Sequence, residues 1–451
     1  MPVPFSVRTE RFPAGFRFGT ATSACSVEGA SAERGRTIWD TFAETPGNII
    51  DGSTPDEACD HVHRYVADLD LLRELGASSY RFSIAWSRVL PEGRGRVSRS
   101  GLDFYDRLVD GLLERGIEPT ALLHHFDLPQ ALEDRGGWAD RASVDAFEEY
   151  AGVVGERLVD RVVHWIPMHE PTSVVILGYG IGQHAPGHRL VFDAVPIAHH
   201  LLLAHGRAVG VLRGLGARSI GSSNGHAPIW PASLDDADIA ASKLFDAIWN
   251  GIALEGMLRG RYPADLAPVM EEVIRPGDME TISRPLDFYG ISYYGAHRIR
   301  AADPGAPAPI ELAEIVGYDR TDSGWAVVPE ALTDWLTATG ERYPGLLPPL
   351  VVTECGASYN DEVDASGEIH DDGRIAYLAA HLEAVAEAIE RGADVRGFFV
   401  WSLLDCWEWD DGFVTPYGLV HVDHGTQVRT PKASFGWYRG LLAEHRGRMA
   451  R

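Results

Sequence analysis

The sequence predicts an α/β protein: a single (β/α)8 barrel of the TIM type with long loops after its strands, spanning residues 1–451 as one domain. Three observations lead to it. Short apolar runs alternate with long helix-periodic stretches eight times along the chain. The apolar runs are nearly continuous rather than alternating, as parallel strands covered on both faces require. Polar and ionisable residues gather where those runs stop, and in such a barrel the strand C-termini share one mouth.

In chain order the strand candidates are "FRFGTATSA", "SSYRFSIAW", "IEPTALLHH", "VVHWIPMHE", "SIGSSNGH", "PLDFYGISYY", "LVVTECG" and "VRGFFVWSLLD". After the first, Val62, Val66, Leu69, Leu72 and Leu75 recur at helical spacing. The second, third and fourth are followed by "GLDFYDRLVDGLLERG", "ASVDAFEEYAGVVGERLVD" and "AHHLLLAHGRAVGVLRGLG". Before the eighth, Ile375, Leu378, Leu382, Val385 and Ile389 form another apolar stripe. A doubly wound open sheet is the alternative, but no G-x-G-x-x-G follows the first strand and no Walker loop occurs. The stretch from about Ala301 to Trp325, with "ADPGAPAP", reads as an insertion loop.

Forty basic against sixty-five acidic residues give a net charge of −25, with no basic run. That argues against nucleic acid or an anionic membrane as partner. The N-terminal stretch lacks a charged segment followed by an apolar one, so no secretory signal is expected, and no apolar run is long enough to span a bilayer. The cysteines, Cys25, Cys59, Cys355 and Cys406, show no C-x-x-C spacing and fit a reducing, cytoplasmic setting. Lys243 and Lys432 are the only lysines, which disfavours Schiff-base and pyridoxal chemistry.

The ionisable residues at the strand ends are Arg81, His125, Glu170, Tyr294, Glu354 and Glu408. "PMHEP", Pro167 to Pro171, admits three readings: a zinc helix, a buried structural ion or half of a catalytic carboxyl pair. The zinc reading fails, because Ser173 stands where H-E-x-x-H needs its second histidine and Pro171 fits a helix interior poorly. A buried glutamate paired with arginine is the structural alternative. Against it, structural ion pairs have no reason to gather on one rim. Two glutamates ending the fourth and seventh strands can meet across a barrel mouth; about 5 Å between them suits a retaining glycosidase and roughly 6.5–9.5 Å an inverting one.

The chain resembles glycoside hydrolase family 1, the β-glucosidase family of (β/α)8 barrels. The resemblance runs from "FRFGTATSACSVEGA" to "RTPKASFGWYR" and includes "ACDHVHRY", "YRFSIAWSRVLPEG", "HHFDLPQAL", "PMHEP", "PLDFYGISYY", "DSGWAVVPEAL", "VVTECGAS" and "WSLLDCWEW". It implies Glu170 as acid/base, Glu354 as nucleophile, and Arg81 and Tyr294 as groups that hydrogen-bond the nucleophile. It places His125, Trp401, Glu408 and Trp409 against the sugar, and implies no cofactor or metal. Trp325 is read either as lining an aglycone entrance or as packing.

The family pattern is broken at the sugar contacts. His169 stands where Asn, which touches the 2-hydroxyl, is usual; Ser26 replaces Gln, Phe126 replaces Trp and Ser292 replaces Asn. Cys355 and Cys406 also replace Asn, and are expected to pack as small residues near each other. The carboxylates are kept while the groups reading the hydroxyls are changed. The expected substrate is therefore a small-molecule β-glycoside with a modified or deoxy sugar, such as those on secondary metabolites. His169 is open between donating to substrate, tuning Glu170 and filling space. Rival expectations are a transglycosylase, a repurposed site for non-hydrolytic rearrangement or cyclisation, and a non-catalytic glycan-binding barrel.

Overall fold

The computed structural model describes residues 5–449. Eight parallel strands form the central sheet: β1 (Arg17–Ala21), β2 (Ser79–Ser83), β3 (Glu118–His124), β4 (His164–Met168), β5 (in two halves, Ser219–Ile220 and Asn224–Gly225), β6 (Tyr289–Tyr293), β7 (Leu350–Cys355) and β8 (Val395–Trp401). Each pairs with its sequence neighbour, and β1 pairs with β8, Arg17 opposite Gly397 through Ala21 opposite Trp401. The first half of β5 pairs with β4 and the second with β6, with bridges His169–Ser223 and Gly221–Phe288 between them. One segment therefore touches both neighbours and the ring closes. An open doubly wound sheet is excluded.

The outer layer consists of α1 (His61–Leu75), α2 (Arg99–Glu114), α3 (Ala142–Leu158), α4 (Ile197–Leu215), α5 (Ile252–Arg259), α6 (Pro329–Arg342), α7 (Asp372–Glu390) and α8 (Ala433–Met449). Their apolar stripes face the strands, which are themselves buried over almost their whole length, so burial on both sides holds the two layers together. In α1, Val62, Leu69, Leu72 and Leu75 are buried, but Val66 is half exposed. The stripe is narrower than its spacing implies, and Val66 lies on its outer shoulder. None of the helices is long and apolar enough to cross a membrane among the described residues.

The expected insertion loop is only partly irregular. His297–Ala301 and Ile310–Ala313 pair antiparallel, and Ile229–Pro231 joins them in parallel, making a small sheet beside the barrel. "ADPGAP" occupies the turn, where proline and glycine suit a chain reversal but not a ladder.

Candidate active site

At the C-terminal ends of the strands lies a cavity of about 760 Å³. It is lined by Glu170, Glu354, Tyr294, His125, His169, Phe126, Ser292, Trp325, Trp401, Glu408 and Trp409, which are eleven of the thirteen residues singled out from the sequence. Arg81 sits just behind the wall, fully buried, and reaches Glu354 through it. Ser26 is the correction. It is fully buried, accepts a hydrogen bond from Ser23 Oγ at 2.6 Å, and does not line the cavity.

Glu354 enters the cavity from an irregularity in β7. The register slips between Val352 and Glu354 against β6 and between Val352 and Cys355 against β8. A bulge at that point re-aims a side chain that a regular strand would carry elsewhere. Its carboxylate is held on both oxygens: Arg81 Nη2 donates to Oε1, and Tyr294 Oη donates to Oε2 at 2.8 Å. Burial raises the Glu354 pKa, and the Arg81 charge and the Tyr294 hydrogen bond oppose that rise. These two partners favour the ionised form.

Glu170 follows β4 with φ of 41°, in the left-handed region that a non-glycine residue enters only at a cost. Its amide donates to the Ser223 carbonyl at 2.7 Å, which fixes the turn, and Pro171 opens the short helix beyond. Ser173 Oγ donates to Oε2 at 2.7 Å. Among the described residues no arginine pairs with it, so the structural ion-pair reading fails for this residue. Gly225 makes room for the carboxyl: a Cβ there would lie 3.0 Å from Glu170 Cδ. Burial first, and then the charge of Glu354, raise the pKa from 4.5 to about 7.

The two carboxyls share one space. His169 Nε2 lies 3.2 Å from Glu354 Oε1 and 3.6 Å from Glu170 Oε1, so those oxygens are at most about 7 Å apart. One carboxyl is poised to be charged and the other to hold its proton near neutrality. An acid and a nucleophile on either side of one reacting carbon need that division.

The rest of the wall is aromatic and polar. Phe126 and Trp409 pack at 4.9 Å between ring centroids, with His125 5.4 Å from Trp409. Phe126 and Trp409 also have positive φ, at 68° and 54°. The Trp401 indole N–H donates to Glu408 Oε1 at 3.0 Å, so Trp401 offers the cavity a face rather than a donor. His125 Nδ1 and two nitrogens of Arg81 are buried without a hydrogen-bond partner among the described residues, capacity that the fold does not use. Trp325 stands at the mouth, 44% exposed, edge-on to Tyr294.

Cys355 and Cys406 have different partners: the first thiol faces the Tyr377 hydroxyl, and the second donates to Glu408 Oε1 at 3.1 Å. His125, His169 and Glu354 each place one ligand-type atom within 4.8 Å of the others. A cation among them would sit against the Arg81 guanidinium already bound to Glu354 Oε1, which makes this a poor metal site.

Sequence reasoning missed Ser173, Asp322, Asp410 and Asp411 on the cavity wall and Ser223 and Thr353 behind it. Ser173 was readable from its spacing three residues after Glu170. The two adjacent aspartates in "EWDDGF" follow Glu408 directly and share its loop.

A model of "Glycosyl hydrolase family 1" matches residues 8–447. The chain belongs to that family. Beta-glucosidase A of Thermotoga maritima is 41% identical over 445 residues, 97% of this chain and 98% of its own. A bifunctional beta-D-glucosidase/beta-D-fucosidase of Bifidobacterium breve is 41% identical over 97% of this chain and 99% of its own. The crystal structure of a psychrophilic beta-glucosidase from Micrococcus antarcticus superposes with a TM-score of 0.93 at 43% identity, covering 98% of this chain and 99% of that one. The fold is thus the (β/α)8 barrel of the family 1 enzymes, and the protein is a glycoside hydrolase of the retaining, β-glucosidase-like kind.

Proposed function

We propose that the protein hydrolyses a small-molecule β-glycoside by double displacement, with Glu354 as nucleophile and Glu170 as acid/base. The observation that carries this is the single imidazole nitrogen within 3.6 Å of both carboxyls, one of them ion-paired and the other held protonated to about pH 7. Glu354 attacks the anomeric carbon from one side while Glu170 protonates the leaving oxygen from the other. The resulting ester between Glu354 and the sugar is then cleaved by water, whose proton passes to the Glu170 carboxylate, and the enzyme returns to its starting state. Arg81 and Tyr294 keep Glu354 charged and oriented.

In this reading the glycone lies between His125, Trp401, Trp409 and Glu408, with its C2 substituent against His169, as the family resemblance implies. Trp325 lines the aglycone entrance. The glycone is a modified sugar: Phe126 presents an apolar ring where a donor is usual, Ser26 lies outside the cavity, and His169 replaces an amide. Four buried, unpaired thiols support a reducing compartment such as the cytoplasm.

A panel of aryl β-glycosides differing at single hydroxyls tests both parts. Proton NMR of the first-released sugar is expected to show the β-anomer, and E354Q is expected to be inactive. Release of the α-anomer, or activity surviving in E354Q, removes the mechanism; best turnover of the plain glucoside removes the modified-sugar part.

A further inference from the structure

His169 takes no part in the chemistry above, and a chain of hydrogen bonds behind it decides which of its nitrogens carries hydrogen. Thr353 Oγ1 donates to the Ile291 carbonyl at 2.9 Å, so toward Ser223 Oγ, 2.8 Å away, it accepts. Turning the single hydrogen of Ser223 to that acceptor pairs both hydroxyls. The Ser223 oxygen then accepts from His169 Nδ1 at 2.9 Å. In this assignment each link of the chain carries one hydrogen. Burial, reinforced by His125 and Arg81, keeps the imidazole neutral, so Nε2 presents a lone pair to the cavity.

That lone pair lies 3.2 Å from Glu354 Oε1, itself an acceptor. A sugar hydroxyl has one hydrogen and cannot satisfy two acceptors, so one of them would face an oxygen lone pair in a buried site. A group with two or more hydrogens satisfies both. The charge of the wall points the same way: Glu354, Asp322 and Asp410 bring carboxylates to the cavity, and among the described residues neither Lys nor Arg lines it. Such a wall favours a basic ligand and disfavours phosphorylated or carboxylated sugars.

We propose that the glycone is a 2-amino-2-deoxy sugar whose nitrogen donates to His169 Nε2 and Glu354 Oε1 together. This rests on the glycosidase reading, with C2 against His169. The substitution of an imidazole at residue 169 reverses the polarity of that contact from donor to acceptor, and it does so through Ser223 and Thr353, which touch no substrate.

The test uses the full-length protein and three aryl β-glycosides identical except at C2, which carries an amine, a hydroxyl or only hydrogen. The amine is expected to exceed the hydroxyl in kcat/KM by about tenfold or more, the discrimination of a site built for one polar group. H169N, whose amide can donate, is expected to reverse that order. Should H169N fold poorly, the wild-type ratio still decides, together with the ¹⁵N spectrum of the histidines, in which His169 is expected to carry hydrogen on Nδ1 and none on Nε2 at neutral pH. A wild-type preference for the hydroxyl, or a protonated Nε2, overturns the proposal. If none of the three is turned over and no other β-glycoside is either, the glycosidase reading itself has failed.

Discussion

Replacing Glu170 by glutamine separates the cost of its carboxyl from its chemistry. Its pKa rises from 4.5 to about 7, because burial and the nearby Glu354 charge penalise the ionised form. Since the folded state binds this proton more tightly than the unfolded chain, its contribution to stability is fully present below about pH 4.5. It is lost as the pH rises through 7. Linkage converts the shift into roughly 3 kcal/mol at pH 8, an upper figure because the side chain keeps 12% of its surface open to the cavity. E170Q carries no such charge. It also weakens the Ser173 hydrogen bond, a loss that is largely independent of pH. Urea denaturation of both proteins from pH 4.5 to 8 reads the difference. E170Q is expected to gain on the wild type by ~1–3 kcal/mol across that range while losing most of its activity. A stability difference that does not change with pH would refute the claim that Glu170 is protonated in the resting site.

The same carboxyls shape the rate: kcat/KM is expected to follow a bell, falling on the alkaline side near pH 7 as Glu170 loses its proton and on the acid side as Glu354 gains one. R81M removes a group that lowers the Glu354 pKa, so its acid limb is expected to move to higher pH, read from the pH–rate profile. G225A pushes a methyl group to 3.0 Å from the Glu170 carboxyl carbon; kcat is expected to fall by about 10- to 100-fold with the melting temperature little changed. E408Q weakens an acceptor already oriented by Trp401 and Cys406. A fall of about ten- to a hundredfold in kcat/KM is expected, the scale of leaving a buried polar contact mismatched at ~1–3 kcal/mol.

Glu170 and Glu354 were legible because a buried parallel strand is an apolar run, and a charge at its end must face either solvent or a partner across the ring. The same logic found Arg81, Tyr294 and Glu408. Ser26 stands outside the cavity, its hydroxyl paired with Ser23 within the same turn, a contact that spacing alone does not reveal. Nor could that logic choose a role for His169, whose hydrogen is directed by Ser223 on the β5 segment and Thr353 on β7, residues that become neighbours only when the barrel closes.

The sequence alone determined the order of strands and helices, and with it the rim on which the chemistry stands, because hydrophobic periodicity is local and burial enforces it. Tertiary structure decided which residues on that rim touch. The bulge turning Glu354 inward, the guanidinium behind it and the small residue beside Glu170 are products of register between distant strands, and contacts of a few ångströms depend on that register rather than on spacing along the chain.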